Sequence, residues 1–413
     1  MRRATVRIEE IAAGGDGVAN VDGARIFTPL TTQGDLVEID YAGARGRVVN
    51  ILEPGPARIE PPCKHYGACG GCALQHLNAE FYSGWKRARI VDALSHAGLG
   101  GVRVNETIET PAASRRRATF AVRRNGGGVL VGFNARRSSE ISEIDGCLIL
   151  HPEILSRHSD LAELAKHIDA GTFDLAATLC KNGLDLNLVG DIAAPSMAAT
   201  NALSPLMRAA GAIRLSINGE ALIALGEPVV SFDGISISPP PGAFLQASRE
   251  GEAALTKLVI DAAKGAKKIV DLFSGCGTFA LPLAKAATVS AFDSDEAAIA
   301  ALDRGARLAQ GAGLNPLRAG RRDLFERPLS AKELQQFDAI VFDPPRAGAK
   351  FQAENIAASG VPKIIAVSCN PATFARDAAL IVNAGYALQE VTPVDQFVYS
   401  SHVELVGVFR KAK

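Results

Sequence analysis

The chain has 413 residues, which is too long for a single hydrophobic core and predicts two or three domains. Its composition of 47% hydrophobic and 21% charged residues is typical of a globular protein and excludes a low-complexity or fibrous chain. Lys+Arg and Asp+Glu both number 44, so overall charge gives no reason to expect a nucleic-acid partner. No apolar run reaches membrane-spanning length and none follows Arg2 and Arg3, so we expect neither a membrane association nor a signal peptide.

Residues 1–53 alternate short β-rich runs with glycine turns, as in Gly14–Ala19 and Asp22–Phe27. Short strands at this spacing predict a small β-barrel, often of the oligonucleotide-binding type. Such a barrel is compatible with RNA binding but does not establish it, because fold alone does not determine function.

A segment with four prolines, residues 54–62, leads into a cysteine-rich loop. The loop has the pattern C-x5-C-x2-C, formed by Cys63, Cys69 and Cys72, and Cys147 is the natural fourth ligand. Three thiolates in one loop with a remote fourth favour a [4Fe–4S] cluster over zinc, whose four-cysteine sites usually form two tight pairs. The odd number of cysteines and their uneven clustering argue for metal binding or catalysis rather than disulfides, and hence for a cytoplasmic protein.

The segment 54–241 mixes strand and helix patterns and is predicted to hold the cysteine loop and an α+β middle domain. Between Pro111 and Arg137 the chain has seven arginines and no acidic residue, which suggests a phosphate-binding surface; the alternative is a solvated face.

Residues 242–413 alternate strands and helices, which predicts a doubly wound α/β domain. Its turn after Lys268–Phe273 is glycine-rich, and Asp293 ends the next strand. This pattern suits a dinucleotide or an adenosyl cofactor, with Asp293 on the ribose hydroxyls. Asp323, placed to contact adenine, and the turn Asp343-Pro344-Pro345-Arg346 favour a methyltransferase over a dehydrogenase.

The segment Lys363–Val367 reads as a buried strand, and Asn370-Pro371 reads as a helix N-cap followed by proline. Cys369 is therefore predicted at the carboxyl end of a strand beside a helix N-terminus, where the dipole would lower the pKa of its thiol. The alternative for an isolated cysteine is a buried structural role.

Together these residues resemble the S-adenosylmethionine-dependent RNA uracil-5 methyltransferases, and most strongly the 23S ribosomal RNA enzymes that carry an iron–sulfur cluster. The likeness covers nearly the whole chain and rests on these segments: residues 1–53, Cys63/Cys69/Cys72/Cys147, Phe244-Leu245-Gln246, Asp271–Leu281, Asp343–Arg346, Ser368–Pro371 and Ser401-His402-Val403-Glu404. It implies a TRAM-like barrel, a middle domain and, at 242–413, a Rossmann-like class I methyltransferase domain.

The same resemblance implies a cofactor site for S-adenosyl-L-methionine lined by Gln246, Phe273, Thr278, Asp293, Asp323 and Asp343. Thr278 stands where the family commonly has asparagine, and Asp293 where it commonly has glutamate. In the implied reaction Cys369 adds to carbon 6 of uracil, carbon 5 takes the methyl group, and Glu404 removes the proton from carbon 5. A glutamate on a nearly buried strand is unusual unless it is paired or functional, which supports that choice.

The implied partner is RNA, with 23S ribosomal RNA favoured and transfer RNA as the alternative; no obligate protein partner is expected. Two further alternatives are amino-group methylation, which needs no nucleophilic cysteine, and a non-enzymatic RNA-binding iron–sulfur protein.

Overall fold

A computed structural model describes residues 1–126 and 128–412 of the chain. The first 53 residues form a six-stranded sheet with the strand order β1-β5-β6-β4-β3-β2. Its small core contains Val6, Ile26 and Val37, and it confirms the strands predicted there from alternation and glycine turns. The strands are β1 (Arg2–Arg7), β2 (Glu10–Ile11), β3 (Gly17–Val21), β4 (Ala24–Thr28), β5 (Leu36–Ala42) and β6 (Arg45–Glu53).

Helix α1 (Ala79–His96) follows the cysteine loop. Asn78 caps it by accepting a hydrogen bond from the amide of Phe81 at 2.9 Å. Two short strands after α1, β7 (Arg103–Val104) and β8 (Ile108–Glu109), pair with the last sheet of the chain. The segment between the barrel and the middle sheet is thus built into the C-terminal part of the fold.

The middle of the chain forms a seven-stranded sheet with the order β11-β10-β9-β12-β13-β14-β15, packed against three helices. The elements are β9 (Arg117–Asn125), β10 (Gly128–Asn134), β11 (Ile141–Glu143), α2 (Pro152–Ser156), α3 (His158–Lys166), β12 (Thr172–Cys180), β13 (Gly183–Val189), α4 (Met197–Ala209), β14 (Ala212–Ile217) and β15 (Glu220–Ala224). A hairpin formed by β16 (Val230–Phe232) and β17 (Ile235–Ile237) follows the sheet in the chain. Helices α2 and α3 are separated by Arg157.

The C-terminal sheet has the order β20-β19-β18-β21-β22-β24-β23-β7 and is the Rossmann-like sheet that alternation predicted. The elements are α5 (Arg249–Ala263), β18 (Lys268–Leu272), α6 (Ala280–Leu283), β19 (Thr288–Asp293), α7 (Glu296–Gln310), β20 (Leu317–Arg321), α8 (Ala331–Leu334), β21 (Ala339–Phe342), α9 (Lys350–Ser359), β22 (Lys363–Ser368), α10 (Pro371–Asn383), β23 (Tyr386–Asp395) and β24 (Glu404–Lys411). Strands β18 to β22 are parallel, and β24 is antiparallel to β22 and β23.

The order of this sheet reverses at β18. From β18 the chain moves outward through β19 and β20, and it then returns to the other side of β18 to form β21 and β22. In open α/β sheets, ligands bind outside the carboxyl ends of the strands at such a reversal. The expected site therefore lies where β18, β19, β21 and β22 end. Among the described helices, none has both the length and the apolar character needed to cross a membrane.

Candidate active site

Cys369 lies at the carboxyl end of β22, as predicted. Asn370 caps α10 by accepting a hydrogen bond from the amide of Ala372 at 3.1 Å, and Pro371 is the first helical residue. The side-chain amide of Asn370 also donates to the carbonyl of Arg346 at 3.0 Å, which ties this cap to the turn after β21. The half-buried Cys369 contributes to the wall of a cavity of about 1120 Å³.

Glu404 is the first residue of β24 and is only 4% exposed. Strand β24 runs antiparallel to β22, with Ser368 opposite Leu405. Continuing this register by one residue places Glu404 beside Cys369. A carboxyl group and a thiol that are 35 positions apart in the sequence are thus neighbours at one sheet edge.

Asp343 directly follows β21, the strand next to β22, and its amide donates to the carbonyl of Leu272 at 3.2 Å. Burial raises the pKa of Asp343 to about 7. Burial and then the charge of Asp343 raise the pKa of Glu404 to about 8. A buried and a half-buried carboxyl group with pKa values near neutrality are typical of a site that binds and releases protons.

The prediction that the helix N-terminus lowers the pKa of the Cys369 thiol is wrong. Burial, followed by the negative charges of Glu404 and Asp343, raises the pKa of the thiol to about 11. The helix N-terminus could be recognised from the residues next to Cys369. The two carboxyl groups come from other strands, and their effect on the pKa of the thiol outweighs that of the helix. These surroundings therefore favour the neutral thiol of Cys369 over the thiolate.

Gln396 is a site residue that sequence reasoning missed. A hydrogen bond from Gln396 lowers the pKa of Glu404, against the larger upward effect of burial. The same amide donates to Oε1 of Gln246, which is 3% exposed, and accepts from the amide of Ala247 at 3.0 Å. Its position eight residues before Glu404, just after Asp395, was the only signal in the sequence.

The glycine-rich turn after β18 has a left-handed backbone at three positions. Phe273, Gly275 and Gly277 all have positive φ angles, 63°, 50° and 93°. At Gly277 a Cβ atom would lie 2.4 Å from the side chain of Leu302, so only glycine fits there. The amide of Gly275 donates to Oδ2 of Asp293 at 2.9 Å, which fixes the carboxylate against the turn. Thr278 is half-buried within the same turn.

Asp323 follows β20 at the same edge of the sheet. Its Oδ1 accepts hydrogen bonds from the amides of Phe325 at 2.9 Å and Glu326 at 3.2 Å. The exposed ring of Phe325 lies 5.5 Å from the ring of Phe273. These two rings form an apolar wall beside Asp323. Phe273 was among the cofactor residues implied by the resemblance, whereas Phe325 was not.

Asp271 on β18 is fully buried, and neither of its carboxyl oxygens has a hydrogen-bond partner among the described residues. Burial, and then the charge of Asp343, raises its pKa well above the usual range. A buried carboxyl group without a partner is costly unless a donor from a ligand completes it. Together with the glycine turn, this acceptor fits a ligand with an amino group and an adenosyl group.

The four cysteines predicted to bind metal lie around one cavity of about 250 Å³: Cys63, Cys69, Cys72 and Cys147. Burial raises the pKa of Cys69, and it raises the pKa of Cys72 to about 12, with smaller effects from the other thiols. Within residues 1–126 and 128–412, however, no three cysteine, histidine or acidic side chains are arranged closely enough to hold a metal ion. Cys180 and Cys276 are buried in the apolar core of another part of the molecule.

The arginine stretch is not the free phosphate surface that its composition suggested. Arg116 is 3% exposed, pairs with Glu252 and donates to the carbonyl of Gln246 at 3.1 Å. Arg136 and Arg137 bind the carboxylate of Asp16 in the barrel at 2.6 and 2.9 Å. The others donate to backbone carbonyls of Arg117, Leu245, Ser139, Lys166 and Ile168. These arginines hold the parts of the fold together.

Comparison with known proteins places the chain among RNA methyltransferases. Residues 318–413 match the sequence profile of the tRNA (uracil-5-)-methyltransferase family. An RNA methyltransferase of Brucella suis is 44% identical over 410 residues, covering 99% of this chain and 98% of the relative. The 23S rRNA (uracil(1939)-C(5))-methyltransferase RlmD of Alkalilimnicola ehrlichii is 32% identical over 434 residues, covering 98% and 96%. The crystal structure of Pyrococcus abyssi tRNA (uracil-54, C5)-methyltransferase is 24% identical, with a TM-score of 0.75 and coverage of 98% and 99%.

The sheet order and its glycine-rich first turn define a Rossmann-like methyltransferase fold, and the Pyrococcus abyssi structure has the same fold. The chain belongs to the S-adenosylmethionine-dependent RNA uracil-5 methyltransferase family, as its full-length similarity to these relatives shows. It is therefore an RNA methyltransferase.

Proposed function

We propose that this protein transfers a methyl group from S-adenosyl-L-methionine to carbon 5 of a specific uridine in 23S ribosomal RNA. The observation that carries the proposal is the placement of Cys369 and Glu404 on adjacent strands, beside Asp343 and at the wall of a large cavity. A thiol and a basic carboxyl group on one side of a planar base are what carbon-5 methylation requires.

Carbon 5 of uracil is a poor nucleophile, so the thiolate of Cys369 first adds at carbon 6 and produces an enolate. When bound, S-adenosyl-L-methionine supplies the electrophilic methyl group for carbon 5. Glu404 then takes the proton from carbon 5, and the electron pair of that bond re-forms the double bond and expels the thiolate. Glu404 acts as a base only when ionised, which its pKa of about 8 restricts at neutral pH.

In the proposed reaction, ligand binding has to offset the raised pKa of Cys369. Cys369 has to lose its proton before it can add, and burial opposes this. A cation held at this edge of the sheet would stabilise the ionised thiol and carboxyl groups by its positive charge. A cationic methyl donor therefore fits the electrostatics of the site.

The cofactor residues that we propose are Gln246, Phe273, Thr278, Asp293, Asp323 and Asp343. Asp293, already fixed to the turn, would take the ribose hydroxyls, and Asp323 would contact the adenine beside the rings of Phe273 and Phe325. The unpaired carboxyl of Asp271 would accept from the amino group.

We further propose that Cys63, Cys69, Cys72 and Cys147 hold a [4Fe–4S] cluster. The support is that all four thiols line one cavity, although no three of them lie close enough together among the described residues to hold a single metal ion. Such a cluster would join the cysteine loop to the middle sheet by metal–thiolate bonds. Ligation requires deprotonated sulfur, so binding would reverse the raised pKa of Cys72.

Ribosomal RNA is proposed as the substrate because of the relative from Alkalilimnicola ehrlichii. That protein is named a 23S rRNA methyltransferase and is similar to this chain over 98% of its length. Transfer RNA is the second candidate, since the matching family profile is named for it. Mapping 5-methyluridine by mass spectrometry in both RNAs of a deletion strain distinguishes the two. We expect one 23S site to lose its methyl group and to regain it with the wild-type gene but not with Cys369→Ala. Loss confined to transfer RNA would contradict the ribosomal proposal.

A further inference from the structure

The cavity in front of Cys369 has a wall that the proposed reaction does not use. Phe81, Trp85 and Arg89 of α1 recur every four residues, so they share one face of the helix, and this face lines the cavity. Ile11 and Gly14 of the barrel line it from another side. The cavity in front of Cys369 is therefore bounded by both α1 and the barrel.

Arg89 has hydrogen-bonding capacity that the protein does not use. Its Nη1 donates to the carbonyl of Ser401, three residues before Glu404. Its Nε is buried and has no partner among the described residues. A guanidinium carries five N–H donors and cannot be neutralised at ordinary pH, so the part of Arg89 that lines the cavity can bind an acceptor that the chain does not supply.

The charges around Arg89 indicate the sign of that acceptor. Burial, and then the nearby charge of Arg346, lowers the pKa of Arg89. Arg346 lines the same cavity next to Cys369. Two guanidinium groups that repel one another are stabilised when an anion binds between them. The acids Glu80 and Asp92 also line the cavity, as does Glu10 of the barrel, which pairs with Arg25, so Arg89 and Arg346 are the part of this lining that attracts an anion.

Trp85 fixes Arg89 in place. The guanidinium carbon lies 5.2 Å from the centre of the Trp85 ring, which is the geometry of a cation–π contact. Nε1 of Trp85 donates to the carbonyl of Ile11 in the barrel at 3.2 Å. The position of the guanidinium is thus set jointly by α1, the barrel and the Ser401 segment before the ligand arrives, which reduces the entropic cost of binding.

We infer that Arg89 and Arg346 bind a backbone phosphate of the RNA next to the target uridine. The inference rests on the proposed function, because a base can reach Cys369 only after leaving its stack, and its own phosphate must then follow it into the cavity. The planar fork of arginine matches phosphate oxygens in a bidentate manner, which a lysine cannot reproduce.

Binding of a fluorescent single-stranded oligouridine, measured over a series of salt concentrations, tests the inference. Arg89→Gln should weaken binding about tenfold and reduce the slope of log affinity against log salt by about 0.7, the value for one phosphate contact on a single strand. Arg89→Lys should keep the slope but lose part of the affinity. The control is Arg304→Gln, an exposed arginine on α7, which should leave both quantities unchanged.

Thermal unfolding and binding of S-adenosyl-L-methionine, measured on each variant, identify a loss of folding. An unchanged slope in a folded Arg89→Gln variant, or a wild-type protein that does not bind oligouridine, would overturn the phosphate site. Covalent trapping of 5-fluorouracil RNA by the wild-type protein is a separate measurement. Its absence would refute the proposed function while leaving a changed salt slope as evidence for the phosphate site.

Discussion

The amide of Gln396 donates to Oε1 of Gln246 at 2.5 Å, and so joins two segments that are 150 residues apart in the sequence. Gln396 also forms a hydrogen bond to Glu404 that lowers the pKa of this carboxyl group. Ser248, two residues after Gln246, caps α5 by accepting from the amide of Gly251 at 3.0 Å. The proposed base is therefore positioned in part by the segment at the start of α5.

Replacing Gln396 should change the pH dependence of methyl transfer. Glu404 must be ionised to act as a base, so the rate rises as the pH passes the pKa of about 8. The hydrogen bond from Gln396 favours the ionised form, so Gln396→Ala raises the pKa further and moves this rise to higher pH. The exposed Gln335→Ala is the control. A Gln396→Ala enzyme that is slower at every pH by the same factor would contradict this role.

Glu404→Gln should separate addition and methylation from proton removal. The substitution is nearly isosteric, so the thiol can still add and carbon 5 can still be methylated, but the basic group is lost. The enzyme should then accumulate covalently joined to methylated RNA, visible as a shifted band on a denaturing gel. Normal turnover by this variant would show that another group is the base, with His402 and Asp343 as the next candidates.

The ion pair between Lys86 of α1 and Asp395 at the end of β23 should matter for stability. Their side chains are 0% and 3% exposed, and Tyr82 also donates to Asp395, at 2.6 Å. Lys86→Met leaves a buried carboxylate without its cation and should reduce the free energy of unfolding by about 3–5 kcal/mol. The control Lys257→Met breaks an exposed pair with Asp261 and should cost less than about 0.5 kcal/mol. Urea unfolding measures both; equal losses would contradict the prediction.

Metal analysis tests the cysteine site. Protein purified without oxygen should be brown and contain roughly four irons and four sulfides per chain. Cys147→Ser should remove the iron, whereas Cys180→Ser should not, because Cys180 is buried in a separate core. Colourless protein with one zinc would refute the cluster, and iron loss from only the Cys180 variant would show that the fourth ligand is wrong.

Local sequence patterns predicted the parts of this protein that local interactions determine. The strand before Cys369, the cap at Asn370 and the strand-to-helix turn after β18 all follow from neighbouring residues. The partners of Arg116 and Gln396 could not be predicted in this way. Glu252 lies 136 residues from Arg116, so nothing near the arginine stretch showed that its charge is balanced inside the fold.

The pKa of Cys369 illustrates the same limit. The helix N-terminus was visible in the sequence, but the carboxyl groups of Glu404 and Asp343 approach the thiol only through the strand order β21-β22-β24. The resemblance to a known family implied the roles of these residues. The effect of the two carboxyl groups on the pKa of the thiol could be derived only from the three-dimensional arrangement.

The most direct test of the central claim is covalent trapping with RNA in which 5-fluorouracil replaces uracil, in the presence of S-adenosyl-L-methionine. Fluorine at carbon 5 cannot be removed as a proton, so a reaction that proceeds through addition of Cys369 must stop at the adduct. The proposed mechanism predicts a protein–RNA complex that survives denaturation, and a peptide containing Cys369 that carries the nucleotide. The wild-type protein should give this complex and Cys369→Ala should not. Methylation of RNA by Cys369→Ala, or an adduct on another residue, would contradict the mechanism.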